Sequence, residues 1–531
     1  MLRFRNLSPA TDGHGTNTPC PLLPLVVASS AHVLCILRLA QHTPLRNSPL
    51  AHTQSPCSSL APDLAIRRCA DIRTQLEAAG LFASAAAPHT TNSWRVSPCP
   101  LFLSPEQIAF FTKLGPQLLT FYRAQNRLYL ESVKGSQPRW VAQYLDQGKP
   151  DALIAYSRMK RFRDDLPAVI RPDVIPTQDG MVITELDSVP GGIGLTACLS
   201  SIYSGLDDRP LPLIGGRNGM VQGFAAMLKA IQRERTGCIA IVASEEAKEY
   251  RPEMTWLAAR LREQGVPAYC VEPRDVRFTE DGLRLRTETG ENPIAVLYRF
   301  YELFDLLNIP KAELIQYAAK KEWVSVTPPY KPALEEKSAF ALLHHPVLRP
   351  FWEKELGEAT LLDLTTIMPR TWLLDPAPIP PTATIPGLRM GDRAVTNWRD
   401  LAAATQKERH YVIKPSGFSE LAWGSRGVSV GHDLPQAEWA AAIDHALASF
   451  PTTPYILQEF HKGRLYELDY WDPAANQLVR MNGRARLSPY YFVADGKAEL
   501  AGILATICSA EKKIIHGMKD AIMVPCSLQQ S

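Results

Sequence analysis

Besides Asp179 in its turn, one short stretch, "RPDVIPTQDGMVITELDSVPGG", residues 171–192, carries three carboxylates. Asp173, Glu185 and Asp187 stand where a plain apolar hairpin would carry valine or threonine. A three-residue turn at Gln178, Asp179 and Gly180, with glycine at the left-handed position, pairs Thr177 with Met181, Ile175 with Ile183 and Asp173 with Glu185. Carboxylates directly opposed in this way have Cβ atoms about 5 Å apart. Asp187 and Arg171 fall on the same face. Like charges this close repel, so either one carboxyl is protonated or both share a cation. Mg²⁺ bound through two carboxylates, its other positions filled by water and phosphate oxygens, satisfies the pattern. A hairpin edge whose acids face water is the alternative.

Further stretches carry groups that can meet phosphate. In "YVIKPSGFSELAWGSRGVSVG", residues 411–431, a strand ends in Lys414 and runs into a small, polar, glycine-containing loop. An ammonium beside loop amides can hold phosphates, although GxxxxGK[ST] is absent. An ordinary hairpin with a long loop is the other reading. "YILQEF", residues 455–460, is an apolar strand that turns polar at Gln458 and Glu459, as a linker presenting polar groups to a base edge would. "PPYKPALEEKSAFALL", residues 328–343, sets Lys337 at a helix start, within reach of a phosphate or simply solvated. In "MNGRARLSPYYF", residues 481–492, Arg484 and Arg486 share one strand face with Asn482. They suit an anion clamp or pair with Glu467 or Asp469 of a neighbouring strand.

The elements that must position these groups follow from periodicity. Residues 104–133 show helical spacing, with Ser104 as N-cap and Pro105 in the first turn. Short helix is expected over 138–163, and a small-residue helix in "GLTACLSSIYSGL" behind the hairpin. Helix 218–235, strand "GCIAIVAS", helix 252–264 and strand "PAYCVEP" form a βαβ pattern, hence a parallel sheet. A hairpin turns at Glu280, Asp281 and Gly282. Residues 311–375 read as mainly helical, 376–390 as a proline-rich loop, and 410–500 as strand-rich with one helix at 435–450. "EKKIIHGMKDAIMVP" is a final short element.

The 531 residues exceed what one core usually serves, so more than one domain is expected. A net charge of +3 on a balanced surface gives no case for a nucleic-acid or membrane-surface partner. Residues 1–62 hold one acid, Asp12, and no lysine, which fits a targeting segment or an unstructured, over-extended start. Organisation is expected from residue 93. The ten cysteines form no CxxC pair or zinc-spaced cluster, so isolated thiols in a reducing cytoplasm are expected.

The hairpin, "VTPPYKPALEEKSAFALL", the glycine loop and "YILQEF", in this order, resemble the circularly permuted ATP-grasp family, the branch that includes the synthetase domain of glutathionylspermidine synthetase. The resemblance covers residues 93–526. It implies an α/β (α+β) fold with two lobes around a nucleotide and a Rossmann-like βαβ substrate subdomain. Residues 93–217 would hold the helices and metal hairpin, 218–310 the βαβ unit and 311–526 the nucleotide lobes. It implies ATP and two Mg²⁺ ions, with Asp173 and Glu185 as metal ligands. Asp187, where the family usually has Asn, would be a third. Lys337 and Lys414 match the phosphate lysines. Residues 416–427, with Ser416, Gly417, Gly424, Ser425, Arg426 and Gly427, match the glycine loop, and Gln458 and Glu459 the adenine linker. Arg171 would face the transferring phosphate. Arg484, with Arg426, would steady an acylphosphate. The implied reaction joins a small acid or peptide to an amine, with ADP and phosphate as products. A phosphotransferase or a silent nucleotide-binding protein on the same scaffold are the alternatives. The cysteine- and histidine-bearing hydrolytic module of the bifunctional relatives is absent from the sequence.

Overall fold

In a computed structural model of the chain, residues 60–82, 93–206, 211–380, 383–424, 426–512, 514–515 and 519–529 are described. The chain divides into two units, 1–48 and 49–531, and every described residue belongs to the second. The segment read as targeting or over-extended lies largely outside the described residues. Folded structure nevertheless begins upstream of the expected boundary at 93. Helix Pro62–Ala78 buries Ala65, Cys69, Ile72 and Leu76, a spacing that lines one helical face, against the main core.

That core is organised by an eight-stranded sheet. Its order is Ser93–Arg95, Lys519–Leu528, Lys497–Ser509, Gln477–Ala494, Val169–Pro176 and Met181–Asp187. Leu465–Asp472 pairs on Gln477–Ala494, and Leu101–Leu103 on Lys519–Leu528. The last described stretch is therefore not the short terminal element expected. It is a ten-residue strand between two others, with Ala521, Ile522 and Val524 fully buried. Helix Pro105–Lys134 covers this sheet. Its N-terminus has the expected cap at Ser104, and Gln107 reaches back to Ser104 N at 2.9 Å.

The βαβ unit forms as read. Strands Ala268–Val271, Cys238–Ala243 and Gly290–Phe300 lie parallel, in that order, in a six-stranded sheet. Helix Arg251–Glu263 supplies the crossover from Cys238–Ala243 to Ala268–Val271, and helix Gly219–Gln232 leads into Cys238–Ala243. A third sheet, antiparallel, runs Thr371–Leu373, Tyr455–Glu459, Tyr411–Pro415, Ser429–Val430, with helix Gln436–Ser449 against it and a core of its own. The fold is thus mixed α/β with several sheets. Among the described residues no helix is long and apolar enough to cross a membrane. Cys69, Cys198, Cys238, Cys270 and Cys526 are free thiols. Cys99 departs from the expectation and is disulfide-bonded.

Candidate functional site

The hairpin Val169–Pro176 and Met181–Asp187 does oppose Asp173 to Glu185 and Arg171 to Asp187. The route differs from the expected one. Pro176, not Thr177, pairs with Met181, and Ile175 pairs with Val182 rather than Ile183. The turn is one residue longer than read, closed by Thr177 N on Gly180 O at 2.7 Å. A β-bulge at Thr184 then restores the register between Asp173 and Val174. The bulge also turns the Thr184 carbonyl toward Lys414, whose Nζ donates to it at 3.2 Å.

The opposed carboxylates each face cations of their own. Asp173 is 5% exposed. Its Oδ1 accepts from Ser488 Oγ at 3.1 Å and lies 3.4 Å from Arg171 Nη1, and its Oδ2 lies 3.2 Å from Arg486 Nη1. Burial pushes its pKa up, but Arg171 and Arg486 outweigh that and hold the carboxyl below its ordinary range. Glu185 Oε1 lies 2.8 Å from Lys337 Nζ. Asp187 accepts from Val189 N through Oδ1 at 2.9 Å and from Arg171 Nη2 through Oδ2 at 2.6 Å. Burial, and Glu185 close by, raise its pKa despite Arg171. Arg171 is itself held above the ordinary arginine value: burial opposes its charge, and Asp173 and Asp187 prevail. Burial pushes Lys414 down to about 8, and Lys337 nearby adds to this.

Four cations, Arg171, Arg486, Lys337 and Lys414, thus converge with three carboxylates. They come from three directions: the eight-stranded sheet, the turn before helix Ala339–His344, and the end of strand Tyr411–Pro415. They line one cavity of about 950 Å³ together with Val412, Val430, Tyr250, Thr506 and Trp94. Arg171 Nε, Arg486 Nε and Thr506 Oγ1 are buried without a hydrogen-bond partner. Arg486 and Thr506 are opposite neighbours on adjacent strands.

The other expected site residues divide. Gln458 is buried and binds Lys414 Nζ through Oε1 at 2.9 Å, with its Nε2 on Thr371 Oγ1 at 3.1 Å, so its side chain orients a lysine. Glu459 lines the cavity rim. Ser416 and Gly417 sit at the loop root on Glu336, away from the cavity lining. Gly424 lines the cavity with φ +63, in the left-handed region. Gly427 N closes the loop on Leu421 O at 2.9 Å. Arg426 does not reach the carboxylates: it pairs with Glu246 at 3.0 Å and lies over Trp423. Ser425 lies outside the described residues. Arg484 lines the cavity but spends its donors on the carbonyls of Gly463, at 3.1 Å, and Ala510. Neither it nor Arg486 pairs with Glu467 or Asp469; Arg480 takes Asp469, at 2.9 Å.

Sequence reasoning missed Arg486 as the arginine on Asp173, and also Ser488. Strand alternation put Arg484 and Arg486 on the correct face. Only the register of Gln477–Ala494 against the hairpin, Leu487 opposite Val174, decides between them. Glu253 was missed as well. It accepts from Gly192 N at 2.6 Å and Leu195 N at 2.9 Å, fixing the turn after Asp187 and the first turn of helix Ile193–Tyr203. Burial pushes its pKa up to about 7 against those two bonds.

No family model matches the chain, and no curated protein does. Among solved structures it is similar to a glutathione synthetase-like effector from Globodera pallida in apo form. Identity is 12% over 90% of this chain and 99% of that chain, with a TM-score of 0.54. A "Putative gamma-glutamylcysteine synthetase" from Methylobacillus flagellatus KT matches at 12% identity over 81% and 90% of the two chains, with a TM-score of 0.39, too low to carry an argument. The first likeness shows a shared fold.

Proposed function

We propose that this chain is an ATP-dependent carboxylate–amine ligase on a circularly permuted ATP-grasp scaffold. One observation carries the reading: Lys337 and Lys414, far apart in sequence, meet the Asp173/Glu185/Asp187 hairpin and two arginines in one cavity. The likeness of fold to a glutathione synthetase-like effector agrees with it. Two lysines and two arginines stand beside the hairpin carboxylates in the cavity lining. That suits a polyanionic nucleotide and a carboxylic acid.

Magnesium fits the donor set. Asp173 and Glu185 are hard oxygen donors at one end of a hairpin, and Mg²⁺ usually takes only one or two carboxylates with phosphate oxygens and water. Among the described residues no group of three His, Cys, Asp or Glu side chains is placed to hold an ion, so Asp173, Glu185 and Asp187 do not converge as the three-carboxylate site the resemblance implied. When bound, the metal would neutralise charge on the β- and γ-phosphates. The chain's own residues do the rest. Lys337, now on Glu185, and Lys414, now on Thr184 O and Gln458, turn to phosphate oxygens. Arg171 and Arg486, in the cavity lining, place their guanidinium charge beside the acid's carboxylate. The carboxylate attacks the γ-phosphorus and ADP leaves. An amine then attacks the acyl carbon and phosphate leaves, with one proton lost from the amine. Positioning and electrostatics supply the rate, so no protein nucleophile is needed.

The test uses the full chain, because helix Pro62–Ala78 belongs to the core. It is incubated with Mg²⁺-ATP, pooled amino acids and small peptides, and hydroxylamine in place of the amine. Acyl-hydroxamate, detected by mass and absent with Glu185→Ala, is the expected product. ADP release with phosphate retained on the substrate and no hydroxamate would instead establish a phosphotransferase.

A further inference from the structure

Two segments that would hold the triphosphate come from different parts of the chain. Lys337 precedes helix Ala339–His344; the loop 416–427 follows strand Tyr411–Pro415. The carboxylate next to Lys337 joins them. Glu336 is 6% exposed. Its Oε1 lies 2.5 Å from Lys149 Nζ, with the two side chains 3% and 1% exposed. Its Oε2 accepts from Gly417 N at 3.2 Å and from the Ser416 hydroxyl. Lys149 follows helix Arg139–Asp146, and its ammonium also lies 5.8 Å from the ring centre of Phe418, the next residue of the loop.

The loop root is sealed onto the backbone just before this carboxylate. A Cβ on Gly417 would stand 1.9 Å from the Glu335 carbonyl oxygen, so only glycine permits the approach. Ser416 N adds a bond to Pro454 O at 2.8 Å. The loop tip is held differently. Arg426 to Glu246 joins side chains 52% and 37% exposed, Trp423 meets Tyr250 edge-on at 5.8 Å, and the Ala422 carbonyl accepts from Lys337 Nζ at 3.2 Å. Root contacts are buried and ionic; the outer tip contacts are exposed and weak. A buried ion pair is a poor device for stability alone, because an apolar pair of similar volume often serves as well. What it supplies is a fixed geometry.

We propose that Lys149 and Glu336 are positioning residues that lock the root of loop 416–427 to the turn carrying Lys337, so that loop and lysine keep one register toward a bound triphosphate. The proposal rests on the nucleotide-binding reading above, and its consequence for the free loop does not require turnover.

The experiment compares full-length wild type with Glu336→Gln, close in shape, and Lys149→Met. Three quantities are read: affinity for Mg²⁺ with the non-hydrolysable nucleotide AMP-PNP by calorimetry, trypsin cleavage after Arg426 identified by fragment mass, and thermal unfolding. Loss of one buried charge-assisted contact should weaken AMP-PNP binding by about tenfold or more. Cleavage after Arg426 should speed up without nucleotide, and AMP-PNP should no longer slow it. Variants whose melting temperature falls while affinity and cleavage stay at wild-type values would reduce the pair to a structural one and overturn the proposal. If wild type binds no AMP-PNP, the nucleotide reading itself fails; cleavage in the nucleotide-free protein then decides the locking role, faster in the variants supporting it and unchanged overturning it.

Discussion

Arg484 and Arg486 share a strand face, and of the two Arg486 is the one that meets Asp173. Arg486 Nη1 lies 3.2 Å from Asp173 Oδ2, and that oxygen has no other ion-pair partner among the described residues. At an effective dielectric near 20 the attraction is about 5 kcal/mol. Arg171 remains at 3.4 Å from the other oxygen, and Arg486 is about one-fifth exposed, so water recovers part of the loss. A net cost of about 2–3 kcal/mol at Asp173 follows for Arg486→Gln. Asp173 should then titrate higher, because a cation that held it down is gone. If Arg486 also steadies the acid, removing such a donor costs about 10²–10³ in kcat/KM. Arg484→Gln deletes bonds to the carbonyls of Gly463 and Ala510 and leaves Asp173 intact. Its expected loss is about tenfold at most. The assay is acid-dependent ADP release with both variants at matched folding, verified by circular dichroism. Equal losses for the two variants, or a harmless Arg486→Gln, would refute the assignment.

Other consequences are equally direct. Glu253 is raised to about 7 in the fold from an ordinary 4.5, so its protonated form adds stability that is fully present below about 4.5 and lost as pH rises through about 7. Glu253→Gln should flatten that slope, worth roughly 3 kcal/mol at most, in denaturant titrations from pH 4 to 8; parallel curves for the two proteins would contradict it. Ile72→Ala, at a fully buried position of helix Pro62–Ala78, should cost about 2–5 kcal/mol by chemical denaturation. A negligible cost would show the helix to be detachable. Asp187→Asn keeps an acceptor for Val189 N but weakens the grip on Arg171, so KM for the acid should rise by about tenfold while KM for ATP moves little. A reversed pattern would favour Asp187 as a metal ligand.

Local chemistry was legible in the sequence, and register was not. The cap at Ser104 and Gln107, the βαβ unit and the lysine at the strand end all follow from neighbours a few residues apart. The Asp173–Glu185 pair was reached through two compensating departures, a longer turn and the bulge at Thr184; alternation alone does not reveal a bulge. Arg486 rather than Arg484 is set by a pairing more than 300 residues away in sequence. Lys149 and Glu336 carry no local signature, because each looks like a surface residue until the chain closes. Helix Pro62–Ala78 was within reach. Ala65, Cys69, Ile72 and Leu76 repeat with helical period, but they follow a stretch of unusual composition that drew the boundary too late.

The strand Lys519–Leu528 lies inside the large sheet, with Ser93–Arg95 beside it in parallel. A ribosome therefore releases one partner roughly 400 residues before the other. At ordinary elongation rates the early strand waits on the order of 20–80 s with that edge uncovered. The carboxylate sheet closes only once residues 519–528 have been made, which makes this a high-contact-order, slow-folding assembly. A stop before residue 519 would remove an interior strand of the sheet that carries Asp173, Glu185 and Arg486.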